Sequence, residues 1–306
     1  MKTVYISGAD GMIGSALSVR FLQEGFRVVA LVRDSLNISR LPKDNYGLLV
    51  KNFNDLSLNK FISKNPGEAF FHLASPYFKN ESQESLLAYV ECHLKSAVLV
   101  TDMLIQSGCR FLLTTSSFYQ YDCSSGVVDA DTPLNLTSYY SATKQAFSDY
   151  ICWYKHLSRI SVLNIILPSV FGADKGSKFI NLLVRANLLC EDLVFPGGSE
   201  KWDFLFLDDV IDALFKSYII SVKSDEGVSG TYSIGSSETH SMIELNEYLS
   251  GVMNCNSVNF DGSDIGYIKY FQANSDMFNK RFSWSPSHTF FQAIDKVIKY
   301  EQKNRN

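Results

Sequence analysis

Thr3-Val-Tyr-Ile-Ser7 runs directly into Gly8-Ala-Asp-Gly11-Met-Ile-Gly14. A β-branched run that breaks into glycines at spacings of three and three, followed by the helical pattern Ile13, Leu17, Phe21 and Leu22, reads as strand, tight turn and helix N-terminus. The N–H groups that open such a helix lack intrahelical partners, and with the helix dipole they can hold a pyrophosphate. Glycines are needed because a Cβ would block the turn or the phosphate. The plainer alternative is an αβ turn with no ligand.

Far downstream Tyr140 and Lys144 lie four apart, so a phenol and an ammonium share one helix face. The Lys charge is expected to favour the phenolate and lower the Tyr pKa towards working pH. With 16 tyrosines in the chain one such pair arises by chance, so context decides. The segment from Ser138 to Lys155 has helical periodicity through Phe147, Ile151 and Tyr154, and it follows a strand ending in Thr114-Thr-Ser-Ser117. A hydroxyl, a tyrosine and a lysine in that order behind a glycine-rich loop form a joint pattern that chance rarely supplies.

Composition agrees with an enzyme of this kind. At 306 residues, 46% hydrophobic and 20% charged, the chain can bury an α/β core plus a smaller lobe. A net charge of -4 gives no pull towards nucleic acid or anionic membrane. Cys92, Cys109, Cys123, Cys152, Cys190 and Cys255 show no CxxC spacing and read as reduced thiols of a cytoplasmic protein. The five histidines show no ligand spacing, so no metal is expected. No apolar stretch reaches membrane-spanning length, and the first residues read as strand and loop with no signal peptide.

Short apolar runs alternate with helical segments. Strands are expected at 3–7, 27–32, 47–51, 68–73, 110–115 and 161–167, and helices at 13–25, 55–64, 82–107 and 138–158. This alternation predicts an α/β Rossmann fold with a doubly wound parallel sheet. After Pro168 the rhythm loosens, with helices expected at 176–190 and 240–252 and short strands near 193–195, 203–207 and 230–234. The expected division is a dinucleotide-binding domain over 1–167, rejoined around 203–235, and a smaller mixed α/β substrate lobe from 168–202 and 236–306.

These residues resemble the extended short-chain dehydrogenase/reductases of the nucleotide-sugar epimerase/dehydratase type. The resemblance runs through Gly8 to Gly14, Phe71-His-Leu-Ala74, Thr115 to Tyr119, Tyr140 with Lys144, Pro168-Ser-Val-Phe-Gly172, Asp203-Phe-Leu-Phe-Leu-Asp-Asp-Val210 and Lys280-Arg-Phe-Ser-Trp-Ser-Pro286. Within the family the chain is most similar to reductases that finish CDP-3,6-dideoxyhexoses, the abequose and paratose synthase group, through Thr115-Ser-Ser-Phe-Tyr119 and Lys178-Phe-Ile180.

The resemblance implies roles. Tyr140 would exchange a proton with the sugar oxygen, Lys144 would hold the nicotinamide ribose, and a hydroxyl of the fifth strand would hydrogen-bond the same oxygen. An aromatic four residues after that hydroxyl selects Thr115, followed by Tyr119; counting from the strand start allows Ser116. Gly8, Asp10, Gly11, Met12, Ile13, Gly14, Arg33, Asn52, Phe53, Leu73, Ala74, Ser75, Tyr140, Lys144, Pro168 and Val170 would contact the cofactor. Tyr77, Ser117, Phe118, Lys178, Phe179 and Trp202 would contact the nucleotide-sugar.

Departures narrow the chemistry. The 4,6-dehydratases follow the hydroxyl residue with Asp-Glu, where this chain has Ser116 and Ser117, so dehydration is not expected. An Arg common before the Asp-Phe element is Trp202, and one before the Pro168 stretch is Ile166. NAD-specific relatives end the second strand with an acid 24 residues past the first glycine; here that position is Val32, followed by Arg33, which can pair with a 2′-phosphate. The expectation is an NADPH-preferring reductase of a 4-keto-deoxysugar nucleotide for surface polysaccharide, NAD(H) remaining possible. A homodimer is expected through helices 82–107 and 138–158. An NAD-retaining nucleotide-sugar epimerase and a non-catalytic NADP-sensing regulator are the rivals.

Overall fold

The computed structural model describes residues 1–306 except 34–37, 44, 56, 77, 79, 158–159, 175–177, 265–267 and 305–306. The chain divides into two units: Met1–Tyr121, Pro133–Ile166 and Ile211–Tyr232 form the first, and Asp122–Thr132, Leu167–Val210 and Ser233–Asn306 the second.

The first unit is organised by strand Thr3–Ser7, all of whose side chains are buried. Its β-branched and aromatic residues suit a strand covered on both faces. It pairs in parallel with Arg27–Val32 on one side and Ala69–His72 on the other. The seven-stranded sheet runs Gly230–Ser233, Ser161–Leu167, Phe111–Ser117, Ala69–His72, Thr3–Ser7, Arg27–Val32, Leu48–Asn52. The chain starts in the middle, builds outward to Leu48–Asn52, then returns to lay Ala69–His72 on the opposite side of the first strand. That reversal makes a topological switch point between Thr3–Ser7 and Ala69–His72, beside whose carboxyl ends ligands of open parallel sheets bind.

Both sheet faces are covered. On one, Tyr5, Phe70, Leu112 and Val162 pack with Val100, Leu104, Phe147 and Ile151 of the helices. On the other, Phe21 lies 5.2 Å from Phe71 and 5.4 Å from Tyr218, and Tyr218 lies 5.3 Å from Phe111, measured between ring centroids. The expected strand 161–167 is found as Ser161–Leu167, and the others agree within two residues at each end. The expected helix 82–107 is Gln83–Tyr89 and Ala97–Gln106 joined by a π-helical turn, Val90–Ser96. Helix Leu207–Ser221 was not expected; it starts directly after strand Phe204–Phe206, with no glycine or proline to mark the change of period.

In the second unit Ser169–Phe171 pairs with Phe204–Phe206, and Leu193–Phe195 with Val258–Phe260. Helices Phe179–Leu189, Met242–Met253 and Phe290–Lys303 bury Leu183, Val184, Leu245, Leu249, Ile294 and Val297 in one core. The last helix was missed from sequence, although Thr289 and Gln292 form a capping box at its start. One cysteine reading is corrected: Cys190 and Cys255 are joined in a disulfide, their Cα atoms 5.8 Å apart across 65 residues of sequence. Spacing along the chain carries no sign of that approach. Cys92, Cys109, Cys123 and Cys152 are free thiols.

Asp203 ties this unit together. Its fully buried carboxylate accepts from Ser236 N at 2.9 Å, Ser236 Oγ at 2.8 Å and Ala273 N at 3.2 Å. Burial pushes its pKa up to about 6 against those donors, which favour the charged form. Asp203→Ala would strand three donors and is expected to destabilise the fold by about 2–4 kcal/mol. Urea unfolding followed at two wavelengths measures this, and a loss under 0.5 kcal/mol, about the scale of a neutral surface change, would contradict it.

Candidate active site

Gly8 has φ +66°, and a Cβ there would lie 2.7 Å from the Ala74 backbone. A Cβ on Gly14 would collide with the Gly8 carbonyl, and one on Gly11 would lie 3.1 Å from it. The glycines let the first loop turn against Leu73-Ala74 and let helix Met12–Gln23 start on top of it. That helix has no side-chain cap and no acid in its first turn, so its leading N–H groups and positive dipole end remain available to an anion. Met12 and Ile13 are its first residues, and the Asp10 carbonyl accepts from Arg40 Nη1 at 3.4 Å. Arg40 was not singled out from sequence, because nothing in an irregular segment signals such a return.

Arg33 is exposed and directly follows strand Arg27–Val32, whose last residue Val32 is buried. Asn52 donates to the Arg33 carbonyl at 2.8 Å and accepts from Asn54 N at 2.8 Å, so it shapes the backbone there. Phe53 is buried with its ring stacked 6.0 Å from His72, a core position rather than an exposed contact. Leu73 N and Ala74 N donate to Ser7 O and Ser7 Oγ, both at 3.3 Å, bringing this loop beside Gly8.

Helix Tyr139–Cys152 begins with a capping box between Ser138 and Ser141, which fixes where Tyr140 enters. Lys144 Nζ sits 5.7 Å from the Tyr140 ring centroid and donates to the Thr115 carbonyl at 2.7 Å. Burial lowers the Lys144 pKa to about 8, opposed by the Cys92 thiol. Desolvation raises Tyr140 to about 12, and the Ser75 and Ser117 hydroxyls are the groups within reach that can pull it back. The expected lowering is therefore not found: the ammonium is directed to a carbonyl, and desolvation dominates.

Ser116 Oγ donates to Asn164 Oδ1 at 2.7 Å and lies 3.4 Å from Ser148 Oγ, so it is committed away from the phenol. Thr115 enters the constellation through its carbonyl. Ser117, expected among the substrate contacts, accepts from Tyr119 N at 3.4 Å through its Oγ, and its hydroxyl acts to lower the Tyr140 pKa. Phe118, 2% exposed and stacked 4.2 Å from Tyr119, has too little free surface for a substrate contact. Sequence reasoning also missed His93, in the π-helical turn, with Nε2 3.0 Å from Ser75 Oγ and Nδ1 2.9 Å from Thr143 Oγ1.

The remaining expected residues lie in the second unit or outside the described residues. Pro168 precedes strand Ser169–Phe171, where Val170 pairs with Leu205. Lys178 is exposed immediately before helix Phe179–Leu189, and Phe179 packs edge-on to Phe195 at 5.1 Å. Trp202 Nε1 donates to Ile268 O at 2.6 Å, so its indole is held by backbone. Tyr77 lies outside the described residues. Among the described residues no group of three His, Cys, Asp or Glu side chains is placed to hold a metal, and no helix is long and apolar enough to cross a membrane.

A glycine loop opening a helix at a parallel-sheet switch point, in a unit that also pairs Tyr140 with Lys144, defines a dinucleotide-dependent oxidoreductase architecture. The chain belongs to the NAD dependent epimerase/dehydratase family, whose sequence model matches residues 4–235. It is 25% identical to the CDP-abequose synthase of Salmonella typhimurium, covering 97% of each chain. It is 23% identical to the UDP-glucose 4-epimerase of Mycolicibacterium smegmatis, covering 98% of each. Among solved structures, a UDP-glucose 4-epimerase superposes with TM-score 0.88 at 18% identity over 100% of this chain and 99% of that one. MoeE5 in complex with UDP-glucuronic acid and NAD superposes with TM-score 0.85 at 22% identity over 99% of both. These structural likenesses are of fold.

Gly8→Ala tests the loop. The left-handed backbone and the Ala74 contact leave no room for a methyl, so NADPH affinity measured by fluorescence titration is expected to fall at least about tenfold. Unchanged affinity in a folded variant would contradict the loop assignment.

Proposed function

We propose that the protein is an NADPH-dependent reductase of a 4-keto-deoxysugar nucleotide, acting in surface polysaccharide biosynthesis of the O-antigen type. The observation that carries the reading is the buried Lys144 with its Nζ 5.7 Å from the Tyr140 ring, in the unit that presents Arg33 directly after its second strand. Likeness to CDP-abequose synthases supports the substrate class.

In this reading Gly8 to Gly14 and the N-terminus of helix Met12–Gln23 hold the pyrophosphate, and Arg33 takes the 2′-phosphate by a charge-assisted hydrogen bond. NADPH bound there would supply the hydride for the carbonyl carbon. Tyr140 gives its proton to the carbonyl oxygen as that oxygen gains charge, and Ser117 donates a hydrogen bond to the same oxygen. Lys144 keeps a cation near the phenolate that remains. With serines at 116 and 117 there is no adjacent acid and base for elimination of water. The protein acts in the cytoplasm, where NADPH and nucleotide-sugars are kept. It pairs as a homodimer through the helical stretch from Gln83 to Gln106, whose Leu87 and Leu99 are 61% and 51% exposed.

Tyr140→Phe is expected to lower turnover of NADPH with a CDP-4-keto-3,6-dideoxy sugar by about 10²–10⁴-fold while leaving NADPH binding nearly intact. Ser117→Ala should cost more turnover than Ser116→Ala; the reverse order would return the role to the residue facing Asn164.

The second reading is an epimerase, favoured by the likeness to UDP-glucose 4-epimerase. Arg33→Ala separates the two. The wild type is expected to prefer NADPH to NADH and to lose most of that preference in the variant, with fluorescence binding curves as the check. Stoichiometric NAD retained through purification, with no cofactor preference, would move the reading to the epimerase.

A further inference from the structure

Helices Phe179–Leu189 and Met242–Met253 end alike, each in a left-handed residue, Cys190 with φ 50° and Asn254 with φ 52°, and each runs on into a strand. The strands, Leu193–Phe195 and Val258–Phe260, are three residues long and pair in parallel, with Leu193 opposite Val258. Cys190 and Cys255 stand equally far before those partners, so their disulfide closes the near end of the ladder in register with it. At the far end the rings of Phe195 and Phe260 lie 5.8 Å apart, and Phe179 sits 5.1 Å from Phe195 and 6.5 Å from Phe260. Two strands of this length are marginal by themselves, so the bridge at one end bears on the aromatic seat at the other. Cys190 is exposed, whereas Cys255 is buried with Ser257 Oγ 3.6 Å from its sulfur. A second tie needs no sulfur: Asn187 Nδ2 donates to Asn246 Oδ1 at 3.0 Å, and Asn246 Nδ2 to the Val258 carbonyl at 2.9 Å.

We propose that Cys190–Cys255 is a reversible exchange site for a dithiol, and that opening it loosens the paired strands Leu193–Phe195 and Val258–Phe260 and with them the seat of Phe179. A thiolate of the dithiol attacks the sulfur of exposed Cys190, the bond to Cys255 breaks, and Cys255 leaves as a thiolate that the Ser257 hydroxyl can hydrogen-bond before it takes up a proton. The second thiol of the reagent then loses its proton and attacks its partner sulfur in the mixed disulfide, and Cys190 leaves and is protonated. Two electrons have passed to the protein, and the reagent ends as a cyclic disulfide. The reverse step takes a disulfide oxidant and returns the same electrons and protons. The inference rests on the cytoplasmic, nucleotide-sugar reading: among cellular dithiols an exposed bridge is exchanged rather than permanent, and Phe179 is a substrate contact. Opening a bridge across 65 residues of sequence restores freedom to a long loop. The tie from Asn187 through Asn246 to Val258 keeps the helices together, so the effect is local loosening and not unfolding.

The full chain, without denaturant, is incubated with millimolar dithiothreitol, alkylated and digested. Mass spectrometry is expected to find Cys190 and Cys255 labelled only after reduction, and oxidised glutathione should restore the bridge. Hydrogen exchange at the amides of Leu193–Phe195 and Val258–Phe260 is expected to quicken at least about tenfold on reduction, while strand Thr3–Ser7 stays unchanged. Cys190→Ser should show the fast exchange from the start and be indifferent to dithiothreitol. A bridge that opens only in urea, two thiols that oxidised glutathione does not join, or a bridge that opens with exchange in the ladder unchanged would each overturn the proposal. Calorimetric titration with CDP separates it from the reading on which it rests. With Phe179 as a nucleotide contact, reduction should weaken CDP binding about threefold, as the competent seat becomes less populated, and leave NADPH affinity as it was. A ladder that loosens with CDP affinity unchanged would support the exchange site and count against the substrate contact alone.

Discussion

The Ser7 hydroxyl lies 2.8 Å from His72 Nδ1 and accepts from Ala74 N at 3.3 Å, binding together the two strands between which the sheet reverses. Much of the site depends on that junction. It brings the Leu73-Ala74 loop against Gly8, where only a glycine fits, and so sets the start of helix Met12–Gln23. The geometry is held from beneath by a fully buried central strand rather than by the loops that line it.

The electrostatics of the first unit point the same way. Lys144 is nearly enclosed yet directed to a carbonyl, and burial brings its pKa down to about 8. Tyr140 is raised to about 12 by desolvation. Both shifts have burial as their first cause.

The sequence made the nucleotide-binding half legible because each signal there is local. Strand Ser161–Leu167 is a continuous apolar run, and Gly8, Gly11 and Gly14 report a turn by their spacing. What was missed depends on distance or register. Helix Leu207–Ser221 follows a strand without a breaker, and the Cys190–Cys255 pair closes across 65 residues. Among the strand-end hydroxyls, motif counting offered Thr115 and Ser116. Only three-dimensional contacts show Ser116 bonded to Asn164. His93 was invisible because a π-helical turn changes which residue faces inward, and an i, i+4 pattern cannot reveal that.

The most direct test follows the hydride. With NADPH deuterated at the transferable position and a CDP-4-keto-3,6-dideoxy sugar, the account predicts one deuterium in the sugar product for each NADP⁺ formed, read by mass spectrometry. An epimerised sugar free of deuterium, formed without net loss of reduced cofactor, would contradict it.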